Sequence, residues 1–221
     1  MTLLTRASAT SQVLVDDLDA LQLSPDDKHH LQNVLRVRNG ESIVVINGRG
    51  DWRMCEWGNG ALVSATAVET DAAPPRRSVA FALTKGTKPD WTIQKLTEIG
   101  VTEIVPFVAE HSIVKWSDKK CLEQVERFRR IAESAVMQSR QVWLPVISEI
   151  SDFERVIQHG YWLASPGGNA WTPSVQQIAV GPEGGWSPAE LAKADKTVDL
   201  GSTILRAETA ALAAGVRLCW V

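Results

Sequence analysis

The 221-residue chain has few cysteines, no long apolar run and no large charge of either sign, and each shortage removes a class of protein. Cys55, Cys121 and Cys219 are odd in number, far apart and never arranged as C-x-x-C. That argues against a disulfide framework or a zinc site and leaves buried or incidental thiols, with no metal expected. No stretch approaches the roughly eighteen uninterrupted apolar residues of a membrane span. The first twenty residues lack the basic-then-apolar pattern of a secretory signal, so a cytoplasmic protein with no membrane partner is expected. Neither G-x-G-x-x-G after a strand nor G-x-x-x-x-G-K-[ST] occurs, which disfavours phosphate cradling. The net charge of −3 does not announce a nucleic-acid binder. Basic residues outnumber acidic ones only between positions 71 and 150, and a mixed solvated surface explains that as well as an RNA-binding face does.

What is present suits a globular chain, since 44% hydrophobic residues can build a sizeable core. Nine tryptophans are scattered along the sequence and read mainly as core or interface anchors, with base stacking the rarer use. A linker is expected at Ala72-Ala73-Pro74-Pro75-Arg76-Arg77, dividing the chain into domains 1–72 and 73–221. Before it, Ser24-Pro25-Asp26-Asp27 caps a short helix carrying Leu31, Val34 and Leu35 on one side. Ser42 to Asn47, Gly50 to Trp57 and Ala61 to Glu69 read as strands separated by glycine turns, a pattern that fits a small barrel. After the linker, strands at Ser78–Leu83 and Glu103–Val108 alternate with helices at Trp91–Ile99 and about Lys119–Ser139. Leu122, Val125, Phe128, Ala132, Ala135 and Val136 recur at helical spacing in the second helix. Further strands at Trp162–Ala164 and Ile178–Val180 make this an α/β domain with a mostly parallel sheet.

Two glycine-bearing loops near the C-terminus mark the expected ligand site. Gly181-Pro182-Glu183-Gly184-Gly185 follows an apolar strand, and Ser187, Pro188 and Glu190 then read as N-cap, first helical residue and capping-box partner. Glycines let a ligand approach the backbone, while Pro182 stiffens the turn and removes a donor. Leu200-Gly201-Ser202-Thr203 leads through Ile204-Leu205-Arg206 into a helix rich in small residues, with Arg206 and Glu208 at its entrance. An ordinary pair of βα turns remains the plain alternative.

GPEGG followed by LG-x-x-x-LR-x-ETA resembles the ribosomal small-subunit methyltransferase E family of the SPOUT superfamily. The resemblance spans nearly the whole chain. It includes His29-His30 with Val34-Leu35-Arg36, Lys85-Gly86 with Gln94-Lys95 and Glu98-Ile99-Gly100, and Gln138-Ser139-Arg140 with Pro145. Periodicity alone would give an open, unknotted doubly wound domain. The resemblance implies instead an N-terminal PUA-like RNA-binding β-barrel and a C-terminal SPOUT α/β domain with a deep trefoil knot. It further implies a homodimer that uses S-adenosylmethionine to methylate N3 of a uridine in 16S rRNA of the assembled small subunit.

Carried onto this sequence, the resemblance implies a cofactor site of Leu163, Gly181, Pro182, Glu183, Gly184, Gly185, Leu200, Gly201, Ile204, Leu205, Arg206, Thr209 and Ala210. Its catalytic residues would be Arg206 and Glu208. A guanidinium stays protonated, so Arg206 suits stabilisation of an anion, while Glu208 either takes the proton or orients Arg206, the latter preferred. Glu183 faces the sulfonium or, by preference, supports its loop. His30, Arg36, Arg38, Arg49, Lys85, Lys95, Gln138 and Arg140 are the implied RNA contacts, each with a plainer reading as a solvated residue. The chain departs from the family pattern at Thr203, where a basic residue is usual, and at His111, often Arg. It departs also at Thr5-Arg6-Ala7-Ser8, where an aromatic-rich basic opening is usual. A SPOUT methyltransferase acting on another RNA position, and a knotted RNA-binding protein without catalysis, are the alternatives.

Overall fold

The computed structural model describes residues 6–220, so Thr5 of the atypical opening lies outside the described residues. Two compact units divide them. One holds the described residues up to Pro74 together with Glu133–Leu144; the other holds Pro75–Ala132 and the described residues from Pro145 on. No helix among the described residues is long and apolar enough to cross a membrane.

In the first unit β1 (Ser11–Leu14) runs parallel to β2 (Ser42–Ile46), and β2 pairs antiparallel with β3 (Asp51–Gly58). β4 (Ala61–Ser64) and β5 (Glu69–Thr70) both add to β3 in antiparallel fashion. The run of four apolar residues in β2 is buried on both faces. Ile43 and Val45 pack with Val13, Leu31 and Trp57, whereas Val44 and Ile46 pack with Trp52, Val136 and Val142. Alternation along a strand thus sends each half of the run into a different core, and burial stabilises each such side chain by about 1.5–3 kcal/mol.

Two local expectations need correction. The helix over Pro25–His29 (α1) is capped by Ser24 as read, but His30–Val34 forms a wide π-type turn. That wider spacing rotates positions off the inward face, so Leu31 is buried while Val34 and Leu35 are 59% and 43% exposed. The expected strand Ala61–Glu69 is broken in its middle. There the Met54 carbonyl accepts both Ala65 N–H and Thr66 N–H, and the Arg53 guanidinium takes the Thr66 carbonyl, which draws that stretch out of the ladder.

The second unit is a seven-stranded sheet with every pairing parallel. Its strands are β6 (Ser78–Ala82), β7 (Glu103–Val108), β8 (Val146–Ile147), β9 (Ser151–Asp152), β10 (Trp162–Asn169), β11 (Gln177–Val180) and β12 (Thr197–Val198). The order is β12-β10-β11-β6-β7-β8, with β9 also on β7, so β11 inserts between β10 and β6. β6 shows why the sheet is buried on both sides: Val79 and Phe81 enter one core, Ala80 and Ala82 the other.

Helices α2 (Lys88–Ile99), α3 (Asp118–Ser139), α4 (Phe153–Gln158), α5 (Pro188–Lys193) and α6 (Ala207–Trp220) complete the chain. α3 buries Val125, Phe128 and Ala132 as its spacing predicts, but Leu122, in the turn before the first buried position, is 61% exposed. After β12 the chain returns so that α6 packs on β6, β11 and α2. Gly215 permits that approach, since a Cβ there would fall 2.9 Å from Leu96 Cδ2.

Candidate functional site

Both glycine loops open onto one cavity of about 510 Å³ in the second unit, at the carboxyl ends of β10, β11 and β12. Ligands of open α/β sheets characteristically bind at that end of the strands. Ser187 caps α5 with the complete capping box: its hydroxyl accepts from Glu190 N–H while Glu190 Oε2 accepts from Ser187 N–H. Glu190 Oε1 accepts from Glu110 N–H as well, so this buried carboxylate anchors the start of the helix behind the first loop.

Trp186 is the wall against which that loop rests. Its indole N–H donates to the Ala164 carbonyl at 2.8 Å, and its ring lies 6.0 Å from Phe107 and 5.6 Å from Phe153 between centroids. A Cβ on Gly181 would stand 3.0–3.1 Å from that ring, so any larger residue needs the ring or the loop to give by a few tenths of an ångström. At Gly185 it is the backbone that requires glycine, with φ +71 and a turn bond of 2.9 Å to the Pro182 carbonyl. His111 lies with Nδ1 3.2 and 3.1 Å from the Gly184 and Gly185 carbonyls. Carbonyls only accept, so the tautomer with Nδ1–H serves, and the histidine fastens the loop.

The second loop is held by a residue the sequence reading passed over. Asp199 accepts from Gly201 N–H through Oδ1 and from Gly167 N–H through Oδ2, both at 2.9 Å. Those backbone bonds hold its carboxyl below the usual range. The sign of its importance was its place, an acid directly before Leu200-Gly201.

Lys88 was missed too. At the start of α2, its Nζ lies 2.8 Å from Glu183 Oε1 and 3.5 Å from Glu208 Oε2. The hydrogen bond to Glu183 is the main reason its ammonium is held above its ordinary value. For Glu183 burial alone would raise the carboxyl, but Lys88 and the residue's own backbone N–H outweigh that and lower it. Glu208 Oε2 is buried and makes no hydrogen bond, Lys88 being an ionic neighbour only. The expected pairing of Glu208 with Arg206 is not formed; the ionic neighbour of Glu208 is Lys88. Arg206 itself is exposed at the cavity rim and makes no ion pair among the described residues.

Of the residues expected around a cofactor, Gly181, Pro182, Glu183, Gly185, Leu200, Gly201, Ile204, Leu205, Arg206 and Ala210 line the cavity. Leu163 does not, being fully buried in the core on β10, and Gly184 faces His111. Thr209 and Glu208 also lie off its lining. Among the residues expected on RNA, His30, Gln138 and Arg140 come together in a separate cleft of the first unit. Arg36 and Arg38 are exposed elsewhere on that unit, and Arg49, also exposed, donates to the Asp16 carbonyl. In the second unit Lys85 is exposed, while Lys95 is held by Glu98 at 2.7–2.8 Å.

Comparison with known proteins places the whole chain in one family. A family profile described as an RNA methyltransferase domain matches residues 72–218, and one described as an RNA methyltransferase PUA domain matches residues 23–56. Ribosomal RNA small subunit methyltransferase E of Bacillus subtilis is 30% identical over 227 residues, which covers 90% of this chain and 89% of the relative. The protein of that name from Synechocystis is 32% identical over 206 residues, covering 82% and 67%. A crystal structure of ribosomal RNA small subunit methyltransferase E from Neisseria gonorrhoeae bound to S-adenosyl methionine is 26% identical. It superposes with a TM-score of 0.80 over 94% of this chain and 96% of its own. Loops, capped helix and whole-chain similarity together establish that the chain belongs to the ribosomal RNA small subunit methyltransferase E family.

Proposed function

We propose that this chain, a small-subunit rRNA methyltransferase using S-adenosylmethionine, methylates N3 of one uridine in 16S rRNA of the assembled subunit. The observation that carries the site is the unpaired Arg206 guanidinium at the rim of a cavity built by both glycine loops. The cavity fits the cofactor: its volume lies in the range of small-molecule sites, and its walls are backbone, small residues and apolar side chains such as Leu191, Leu200 and Ile204. When bound, the cofactor supplies a methyl group on a positively charged sulfur.

The remaining chemistry falls to the chain. The uracil imide is weakly acidic, so its proton needs an acceptor and the charge spreading over both carbonyls needs a donor. Arg206 stays protonated and supplies that donor. Of the two roles open to Glu208, orientation of Arg206 lacks a contact; proton acceptance is the role left, and it requires the carboxylate, now behind the cavity lining beside Lys88, to turn toward the base. Lys88 is the cation beside that carboxylate, which leaves Arg206 free of it, while Glu183 ties the first loop to α2 through the same lysine.

Further parts of the reading are proposals of the same kind. The five strands of the first unit form the wall of a PUA-like barrel, in a domain reaching about residue 72, with Arg36, Arg38 and Arg49 toward RNA. The C-terminal segment is threaded as a trefoil knot, a path compatible with β11 lying between β10 and β6 and with the return of α6. A homodimer covers exposed Trp220 and Trp91 on α6 and α2, which are 67% and 40% exposed. The test incubates the protein with labelled S-adenosylmethionine and small subunits lacking the modification, then identifies the nucleoside by mass spectrometry. 3-Methyluridine is the expected product; a different methylated nucleoside refutes the N3 assignment, and no incorporation with cofactor binding intact points to another RNA.

A further inference from the structure

The cleft of the first unit has a volume of about 400 Å³ and is separate from the cofactor cavity in residues and in unit. Gln12, on β1, is only 4% exposed and lines it. Both hydrogen bonds of its amide nitrogen go to backbone carbonyls, of Gln141 at 2.7 Å and Val136 at 3.3 Å. These fix which way the amide points and leave Oε1 as a buried acceptor with no partner. Leaving a buried acceptor unsatisfied costs stability, so a donor is wanted there. Arg140 also lines the cleft, at φ +60, a backbone strain that a non-glycine residue rarely carries, and donates through Nη2 to the Ala9 carbonyl at 3.0 Å. Burial lowers its guanidinium pKa. His30 and Gln138 add exposed polar groups at the mouth, and Asp27 puts one carboxylate among them.

This lining distinguishes between parts of a nucleic acid. Phosphate oxygens only accept, so phosphate cannot satisfy Gln12 Oε1, and Asp27 makes the cleft a poor purely anionic site. A nucleobase carries imino or amino N–H groups on its Watson–Crick edge, and its phosphate can stay outside. We propose that the cleft binds one unstacked nucleotide of the RNA, base inward with an N–H on Gln12 Oε1 and phosphate outward toward His30 and Arg140. Sequence-reading proteins commonly splay single bases in this way. The proposal rests on the rRNA reading above for the source of the nucleotide, but not on catalysis.

Amide NMR of the full chain, titrated separately with uridine 5′-monophosphate, guanosine 5′-monophosphate and ribose 5-phosphate, tests it. Expected are perturbations of the Gln12 and Gln138 side-chain amides by at least one nucleotide and none by the sugar phosphate. His30→Ala, at an exposed position, is expected to weaken the nucleotide about fivefold, the effect of one lost hydrogen bond to the phosphate. Its affinity for S-adenosylmethionine should be unchanged by calorimetry. Equal perturbation by ribose 5-phosphate, or an unmoved Gln12 amide at saturating nucleotide, overturns the site; the second result means that a buried water satisfies Oε1. Since methyl incorporation is measured separately, loss of activity with nucleotide binding intact would refute the catalytic reading and leave this site standing.

Discussion

Gly181→Ala adds one methyl group where the first glycine loop rests on Trp186, in the wall of the cavity proposed for the cofactor. Its Cβ would lie 3.0 Å from Trp186 Cε2 and 3.1 Å from Cδ2. Trp186 cannot yield cheaply, because retreat breaks its 2.8 Å bond to the Ala164 carbonyl and presses it toward Phe107 and Phe153. Overpacking of this kind costs about 1–3 kcal/mol, and a lost hydrogen bond would add about 1 kcal/mol. If the loop moves instead, the cavity wall moves with it, and affinity for S-adenosylmethionine falls by a similar energy, roughly tenfold or more. Gly185→Ala is the internal comparison, because its Cβ meets nothing within 4 Å and only the φ of +71 is penalised, by about 1–2 kcal/mol. Urea denaturation gives the stability change and titration calorimetry the cofactor affinity. Gly181→Ala with both quantities at wild-type values would refute the packing argument, as would a Gly181→Ala defect that Trp186→Phe does not relieve in part.

Other expectations follow from single contacts. Arg206→Ala should lower kcat on the order of 10²–10³-fold, as for removal of an oxyanion donor, while cofactor affinity changes little; unchanged turnover would remove Arg206 from the mechanism. Lys88→Met leaves Glu183 and Glu208 without their shared cation, so both cofactor affinity and kcat should fall, with Lys88→Arg close to wild type. Identical kinetics of the Met and Arg variants would show that the charge is unused. Tyr161 supplies a pH test. Burial, the main cause, pushes its phenol from 10.0 up to about 12, and its partner is the Ser78 hydroxyl. A raised folded-state value means that the neutral phenol's contribution is whole below pH 10 and disappears as pH rises through about 12. The loss amounts to about 3 kcal/mol. Tyr161→Phe should flatten the stability curve between those pH values relative to wild type, and parallel curves would contradict the assignment.

The sequence exposed those features whose cause is local. Ser187, Pro188 and Glu190 form their capping box through groups three residues apart, so the spacing sufficed to read it. β7 appeared where a short apolar run put it, buried on both faces of the sheet, and α3 where helical periodicity put it, because its apolar positions recur on one face. What escaped was decided by contacts distant in the chain. Lys88 lies 95 residues from Glu183, and nothing near it in sequence indicates that it, not Arg206, is the neighbour of Glu208. Gln12 finds its partners at Val136 and Gln141, and its orphaned oxygen becomes visible only once those two carbonyls have claimed the amide nitrogen. Leu163 illustrates the converse error, a residue next to cavity-lining Ala164 that strand alternation turns into the core. Within the sheet, adjacency along a strand implies opposite faces, so a residue directly before the cavity wall on β10 can belong wholly to the core.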